Sequence, residues 1–156
     1  MHFFALISIK YIRKQINYTY FYREEFKMAR DFDNLDTFPK ILRDNALTFK
    51  GKPSIREKEY GIWQVITWDD FYNKALVLAK GFYSSGLKRG DKLAIIGDNR
   101  PNLYISIAAA QILGAVPVPC YQDSVADEIQ YILDHAEVKI AVVENQEQVD
   151  KLLEIK

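Results

Sequence analysis

From Asp36 onward the apolar positions of this chain switch repeatedly between the period of a helix and that of a strand. Leu42, Ala46 and Phe49 stand near helical spacing behind Thr37, whose hydroxyl suits an N-cap. Two β-rich runs follow, Lys52-Pro53-Ser54-Ile55-Arg56 and Ile62-Trp63-Gln64-Val65-Ile66, and the turn residues Glu59-Tyr60-Gly61 between them predict a hairpin. Thr67-Trp68-Asp69-Asp70 then opens a helix predicted to reach Ser84. The threonine can accept an orphan N–H there, and both carboxylates face the positive end of the helix dipole. Phe71, Ala75, Leu78 and Phe82 form its apolar stripe, with Asn73, Lys74 and Lys80 outside it.

The second half alternates strand and helix more tightly. Lys92-Leu93-Ala94-Ile95-Ile96 is the kind of apolar run found in a strand covered on both faces, and Gly97 ends it. Pro101 suits a first helical position, where no N–H is needed. The helix predicted over 102–113 is apolar almost all round, with Ser106 and Gln111 against nine apolar or aromatic positions, so it needs cover on several sides. Ala115-Val116-Pro117-Val118-Pro119-Cys120 reads as a strand whose prolines, two apart, remove donors from one side of the ladder, which assigns it to an edge or to irregular structure. Ser124 and Asp127 predict a box-like cap before Ile129, Ile132 and Leu133. Val138-Lys139-Ile140-Ala141-Val142-Val143 predicts a further strand, and a helix from Gln146 carries Val149, Leu152 and Leu153 as its stripe. That helix meets no glycine cap or proline breaker before Lys156, as expected of a piece of a longer polypeptide. Strands alternating with helices imply right-handed crossovers, hence an α/β fold with a mainly parallel sheet and helices on both faces.

Composition narrows this picture. A length of 156 residues with 49% hydrophobic content suits one globular domain. Lysine plus arginine equals aspartate plus glutamate at 21 each, so no overall field draws the chain to nucleic acid or to an anionic bilayer. One cysteine, Cys120, excludes an internal disulfide and fits a reducing cytoplasm. The longest apolar run near the start, residues 3–9, is far short of the ~20 residues that span a bilayer. Residues 1–27 nevertheless differ from the rest, being rich in Phe, Tyr, Ile, Lys and Asn and free of Gly and Pro. Their basic residues follow the apolar stretch, the reverse of a signal peptide. The segment reads either as an extension upstream of a start at Met28 or as a surface segment touching lipid through Lys10, Arg13, Lys14 and Arg23, with residues 28–156 the domain proper.

Candidate chemistry is sparse. The chain has no Gly-x-Gly-x-x-Gly, no glycine loop ending in Lys-Ser or Lys-Thr, no Gly-x-Ser-x-Gly and no His-Glu-x-x-His. Asp31, Asp33 and Asp36 have part of a calcium-loop spacing, but Leu35 takes a ligand position and Asp36 that of the turn glycine, so a solvated acidic stretch is the reading. His2 and His135 have no catalytic neighbour in sequence, and His135 falls at a helix end, where a cation meets the negative dipole. Cys120, beside an apolar strand, reads as buried filling. Two loops stand where open α/β sheets place ligands, beyond the carboxyl ends of strands: Asp98-Asn99-Arg100 and Tyr121-Gln122-Asp123-Ser124. A structural turn is the favoured reading of the first, and helix capping by Ser124 explains much of the second.

Ile66-Thr67-Trp68, Gly90-Asp91-Lys92-Leu93-Ala94-Ile95, Asn99-Arg100-Pro101 and Gly114-Ala115-Val116-Pro117-Val118-Pro119 occur in an order that resembles the AMP-forming acyl-CoA synthetases, over roughly Asp36 to the end. With Tyr121-Gln122-Asp123-Ser124 the set is most similar to the long-chain fatty-acid branch. The resemblance implies an incomplete N-terminal portion of the adenylate-forming fold. The complete enzyme would join a fatty acid to coenzyme A with ATP and Mg2+, releasing AMP and pyrophosphate. It further implies a cytoplasmic enzyme, with peripheral membrane contact as a variant. The phosphate loop, adenine strand, ribose-binding carboxylate and mobile-domain lysine of that family have no matching positions here. No catalytic, cofactor-binding or metal-binding residue can therefore be assigned, tight binding of ATP, Mg2+ or coenzyme A is not expected, and the chain alone should be inactive and prone to aggregate. A stand-alone α/β binding module and a piece of a synthetase for a different acid are the competing readings.

Overall fold

The computed structural model describes Asp31 and residues 33–155. The chain divides into two compact units, Met1–Asp36 and Thr37–Lys156. In the first, Asp31 closes a turn: its carboxylate accepts the Asn34 N–H at 3.3 Å and its carbonyl the Leu35 N–H at 3.1 Å. The expectations for residues 1–27 lie outside the described residues.

Among the described residues, every regular element lies in the second unit. Helix α1 (Phe38–Thr48) leads to strands β1 (Pro53–Glu59) and β2 (Ile62–Thr67), then to α2 (Trp68–Ser84), β3 (Lys92–Ile96), α3 (Pro101–Leu113), β4 (Val116–Cys120), α4 (Ala126–His135), β5 (Val138–Val143) and α5 (Gln146–Glu154). β1 and β2 pair antiparallel across Tyr60-Gly61. Both turn residues have positive φ, 48° and 80°, the backbone that matches the right-handed twist of a tight hairpin. β3 is flanked by β4 and β5, both parallel to it, in the order β4-β3-β5. The proline strand therefore is an edge strand, as its missing donors require.

Alternation along β3 divides the core between two faces. Leu93 and Ile95 join Ala79 and Phe82 of α2, Ala109 and Ala110 of α3, and Leu87. Ala94 and Ile96 point the other way, to Cys120, Ile129 of α4 and Leu152 near the end of α5. Helices thus cover both faces. α3 is the hub: it also packs Ile105 and Ala108 against Leu42 of α1 and Ala75 of α2, and Ala109 and Ala110 are 0% exposed. The cover that its all-round apolar surface demands comes largely from within the chain. Gly114 closes it in the left-handed conformation at φ 72°, which only glycine adopts without strain.

The capping box at α2 forms: Asp70 N–H donates to Thr67 Oγ1 at 3.3 Å, and Thr67 N–H donates to the Asp70 carboxylate at 3.4 Å. Three local expectations need correction. Thr37 occupies the N-cap of α1, but its side chain makes no capping bond; Pro39 in the first turn already removes a donor. Ser124 is not the cap of α4. That position is Val125, which has no side-chain bond to give, because Ser124 is drawn into a turn whose N–H donates to the Tyr121 carbonyl at 3.2 Å. On α5 the inward face is Gln148, Leu152 and Ile155, spaced i, i+4, i+7, so Gln148 is buried while Leu153 is 76% exposed.

Candidate functional site at the carboxyl ends of the parallel strands

All three parallel strands end on the same side, and each runs directly into a polar loop. β3 delivers Asp98, Asn99 and Arg100, β4 delivers Tyr121 to Ser124, and β5 delivers Glu144 and Asn145. The two loops singled out from the sequence do meet: Gln122 Nε2 donates to Asp98 Oδ1 at 2.7 Å. Lys151 of α5 reaches the same loop, donating to the Gln122 carbonyl at 2.7 Å. Asn99 accepts from the Tyr104 hydroxyl, which ties its side chain to the first turn of α3.

Arg100 is the N-cap residue of α3 and the centre of an ion cluster. Its Nε meets Glu57 at 2.5 Å, while its terminal nitrogens stand 3.6 Å from Glu59 and 3.6 Å from Glu144. The hydrogen bond that Arg100 donates to Glu57, with the neighbouring carboxylate charges, pushes the guanidinium pKa up from its already high value. Glu144 also accepts the Asp98 N–H. A cleft of about 340 Å³ opens beside this cluster, apolar at its floor (Leu78, Ile95, Leu103, Val142) and charged at its rim (Asp98, Arg100, Glu144).

Sequence reasoning missed Glu57, Glu144 and Lys151. Glu144 carried a usable signal, since it follows β5 as the Gly97-Asp98 pair follows β3. Glu57 carried none, because its partner Arg100 is 43 positions away. Cys120 lies buried among Ala94, Ile96 and Ile129, and burial raises its thiol pKa, which disfavours the nucleophilic thiolate. His135 is the last residue of α4 and stacks on Tyr131 with ring centroids 5.7 Å apart, a helix-end role. Tyr121 bonds Asp123, which raises the phenol pKa and keeps it protonated. Among the described residues, Asp31, Asp33 and Asp36 included, no group of three or more His, Cys, Asp or Glu side chains is arranged to hold a metal ion. Nor is any helix long and apolar enough to cross a membrane.

A parallel sheet wrapped by helices, with polar loops gathered at its carboxyl edge, defines an α/β protein, the class in which such an edge is where ligands are commonly placed. Residues 42–156 match the model of the family described as AMP-binding enzyme, and the chain belongs to that family. It is 29% identical over 119 residues to the long-chain fatty-acid CoA ligase ACSBG2 of Homo sapiens, covering 76% of this chain and 18% of that protein. It is 30% identical over 124 residues to ACSBG1 of Rattus norvegicus, covering 80% of this chain and 16% of the relative. The chain thus spans less than a fifth of the curated relatives it matches. Among solved structures it is similar to a putative long-chain fatty-acid CoA ligase of Rhodopseudomonas palustris CGA009, with TM-score 0.68 and 25% identity, covering 76% of this chain and 29% of that one. The N-terminal domain of FACL13 from Mycobacterium tuberculosis has TM-score 0.69 at 21% identity, covering 74% of this chain and 28% of that one, a likeness of fold.

Adenylate-forming ligases use ATP, Mg2+ and coenzyme A. The cluster at the strand ends gathers Glu57, Glu59 and Glu144 around one guanidinium, so carboxylates outnumber cations within it and disfavour the approach of a triphosphate. Arg100, the cation nearest the cleft, is already engaged by three of them.

Proposed function

We propose that this chain supplies the N-terminal scaffold of an ATP-dependent, AMP-forming long-chain fatty acid–CoA ligase, which joins a fatty acid to coenzyme A and releases AMP and pyrophosphate. The observation that carries this reading is the family match across residues 42–156, taken with relatives that are long-chain fatty-acid CoA ligases. The chain's own residues contribute packing, strand order and the ion cluster at the carboxyl edge, not groups that act on the acid or the nucleotide. The 156-residue polypeptide alone therefore forms no acyl-adenylate.

The test is acid-dependent exchange of radiolabelled pyrophosphate into ATP, run on this polypeptide and on the longest in-frame product of its gene, with palmitate, butyrate and benzoate. Exchange by the longer product with palmitate, and none by this polypeptide, is the expected result. Exchange with benzoate alone moves the protein to an aryl-acid branch, which the fold does not distinguish: an anthranilate CoA ligase, AuaEII, has TM-score 0.69 to this chain at 19% identity. Exchange by the short polypeptide overturns the scaffold reading.

One observation favours a stand-alone module as the second reading. α3 finds much of its cover inside the chain, which a separately folding domain requires. An apolar groove of about 450 Å³ along α1, α2 and α3, lined by Phe38, Trp68, Phe71 and Ile107, argues for an additional covering element. A soluble monomer with one cooperative melt supports the module; aggregation on expression supports the scaffold.

A further inference from the structure

Among the described residues the β1–β2 hairpin is a two-stranded sheet of its own, without a ladder to the β4-β3-β5 sheet. A lone pair of strands is marginally stable, so its position depends on what each half touches. The base is fixed. The Trp68 N–H donates to the Lys52 carbonyl at 3.1 Å, the Gly51 N–H donates to the Asp69 carboxylate at 2.8 Å, and Ile66 packs on the Leu42 and Ala75 cluster. Between Pro53 and Ile55 the register slips, and an antiparallel pair bends at such a break. Beyond it β2 is open on both sides: Ile62 and Trp63, successive residues on opposite faces, are 65% and 62% exposed. On β1, Glu57 and Glu59 share one face while Arg56 and Lys58 share the other. Among the described residues, the polar contacts that tie this half to the rest of the chain are those of Glu57 and Glu59 with Arg100.

We propose that this distal half, residues 57–65, is a hinged arm and that Arg100 is its latch, set against a fixed repelling charge at Glu144. The guanidinium binds Glu57 through Nε at 2.5 Å, but Glu59 and Glu144 stand 3.6 Å from its terminal nitrogens, beyond hydrogen-bond reach. One positive charge thus faces three negative ones, two on the arm and one at the end of β5. Arg100 draws the arm in, while Glu144 repels the same two carboxylates. Glu144 has little room to retreat: it accepts the Asp98 N–H and fills the space that a Cβ on Gly97 would take. Pull and push are both of the size of half-exposed ion pairs, which are weak, so a single change of charge tips the balance. A segment with so little buried apolar surface is also the kind that opens without the rest of the fold. Asp98, Arg100 and Glu144 line the cleft of about 340 Å³, so charge arriving there is read by the arm. Neutralising Glu144 tightens the arm, and drawing Arg100 away releases it. The latch needs no nucleotide or acid substrate, so it stands or falls apart from the reaction proposed above.

The experiment is amide hydrogen exchange on the full 156-residue chain, followed peptide by peptide at fixed pH and ionic strength. Arg100→Gln should speed exchange across residues 57–65 about fivefold, the effect of losing an ion pair of this kind, and leave β3 unchanged. Arg100→Lys keeps the charge but not the planar fork and should fall between the two. Glu144→Gln keeps an acceptor for the Asp98 N–H and should slow exchange over the same residues. Opposite signs are what a latch requires, since a merely structural loss speeds exchange in both variants. Unchanged exchange over 57–65 in Arg100→Gln overturns the proposal, and so does exchange in Glu144→Gln that equals or exceeds that of the wild type. If Arg100→Gln loosens β3 as well, the sign in Glu144→Gln decides alone.

Discussion

Asp91 binds through both carboxylate oxygens: one accepts Lys139 Nζ and the other the Lys88 N–H, each at 2.8 Å. The lysine bond and then the backbone bond hold its pKa below the usual 3.8. Asp69 is lowered in the same way, first by the Gly51 N–H. The sign follows from proton binding: the unfolded chain holds these protons more tightly, so the stabilisation is fully present above about pH 4 and fades as pH falls through the folded values. Melting temperatures from pH 7 down to pH 2.5 should therefore decline at the acid end. Asp91→Asn should flatten part of that decline; an unchanged acid limb would exclude Asp91 as its source. Gly97 is a second residue on which local chemistry turns. A Cβ there would sit 2.7 Å from Glu144 Cβ, closer than packed carbons tolerate. Gly97→Ala should displace Glu144, cost about 1–3 kcal/mol in urea denaturation and speed amide exchange at Asp98, whose N–H Glu144 accepts.

Single elements answer to their ends and their inward faces. α2 starts on a reciprocal pair of bonds between Thr67 and Asp70, while Asp69 beside them accepts the Gly51 N–H at 2.8 Å. One side chain thus fixes the helix start and another the turn before the hairpin. Thr67→Ala should cost about 1 kcal/mol, measured as a lower urea midpoint at constant slope. Thr67→Ser keeps the acceptor and should restore most of the loss. On α5, by contrast, the apolar residues of the sequence suggested a stripe through Leu153, yet burial falls on Gln148, Leu152 and Ile155. A short helix with several apolar positions admits more than one inward face, and contact with β3, β4 and α4 chooses among them.

At the scale of the whole molecule, β3 is the member on which both layers depend. Leu93 and Ile95 serve one layer and Ala94 and Ile96 the other, and all four are at most 2% exposed. Leu93→Ala should cost about 2–5 kcal/mol, because neighbours on three elements cannot all close on the space left behind. Calorimetry should register the loss as a lower melting temperature for one transition, since both layers share the strand. A loss confined to one of two separable transitions would mean that the faces fold independently.

What the amino-acid order determined by itself is local or follows from a single rule. The Thr67–Asp70 box spans one helical turn, Pro101 marks the start of α3, and Pro117 and Pro119 confine β4 to an edge. Strand and helix periods in alternation sufficed for an α/β fold covered on both faces, and the ordered motifs for the family. The tertiary structure alone decided the parallel order β4-β3-β5, the sorting of hairpin charges, and the cluster in which Arg100 meets Glu57 and Glu144. The physical reason is range: a cap is made by residues three positions apart, whereas Arg100 and its carboxylates are separated by about 40 positions and meet only after strands pair. Charge itself gives no address for its partner, so composition could count these carboxylates but could not say which of them face a guanidinium and which face water.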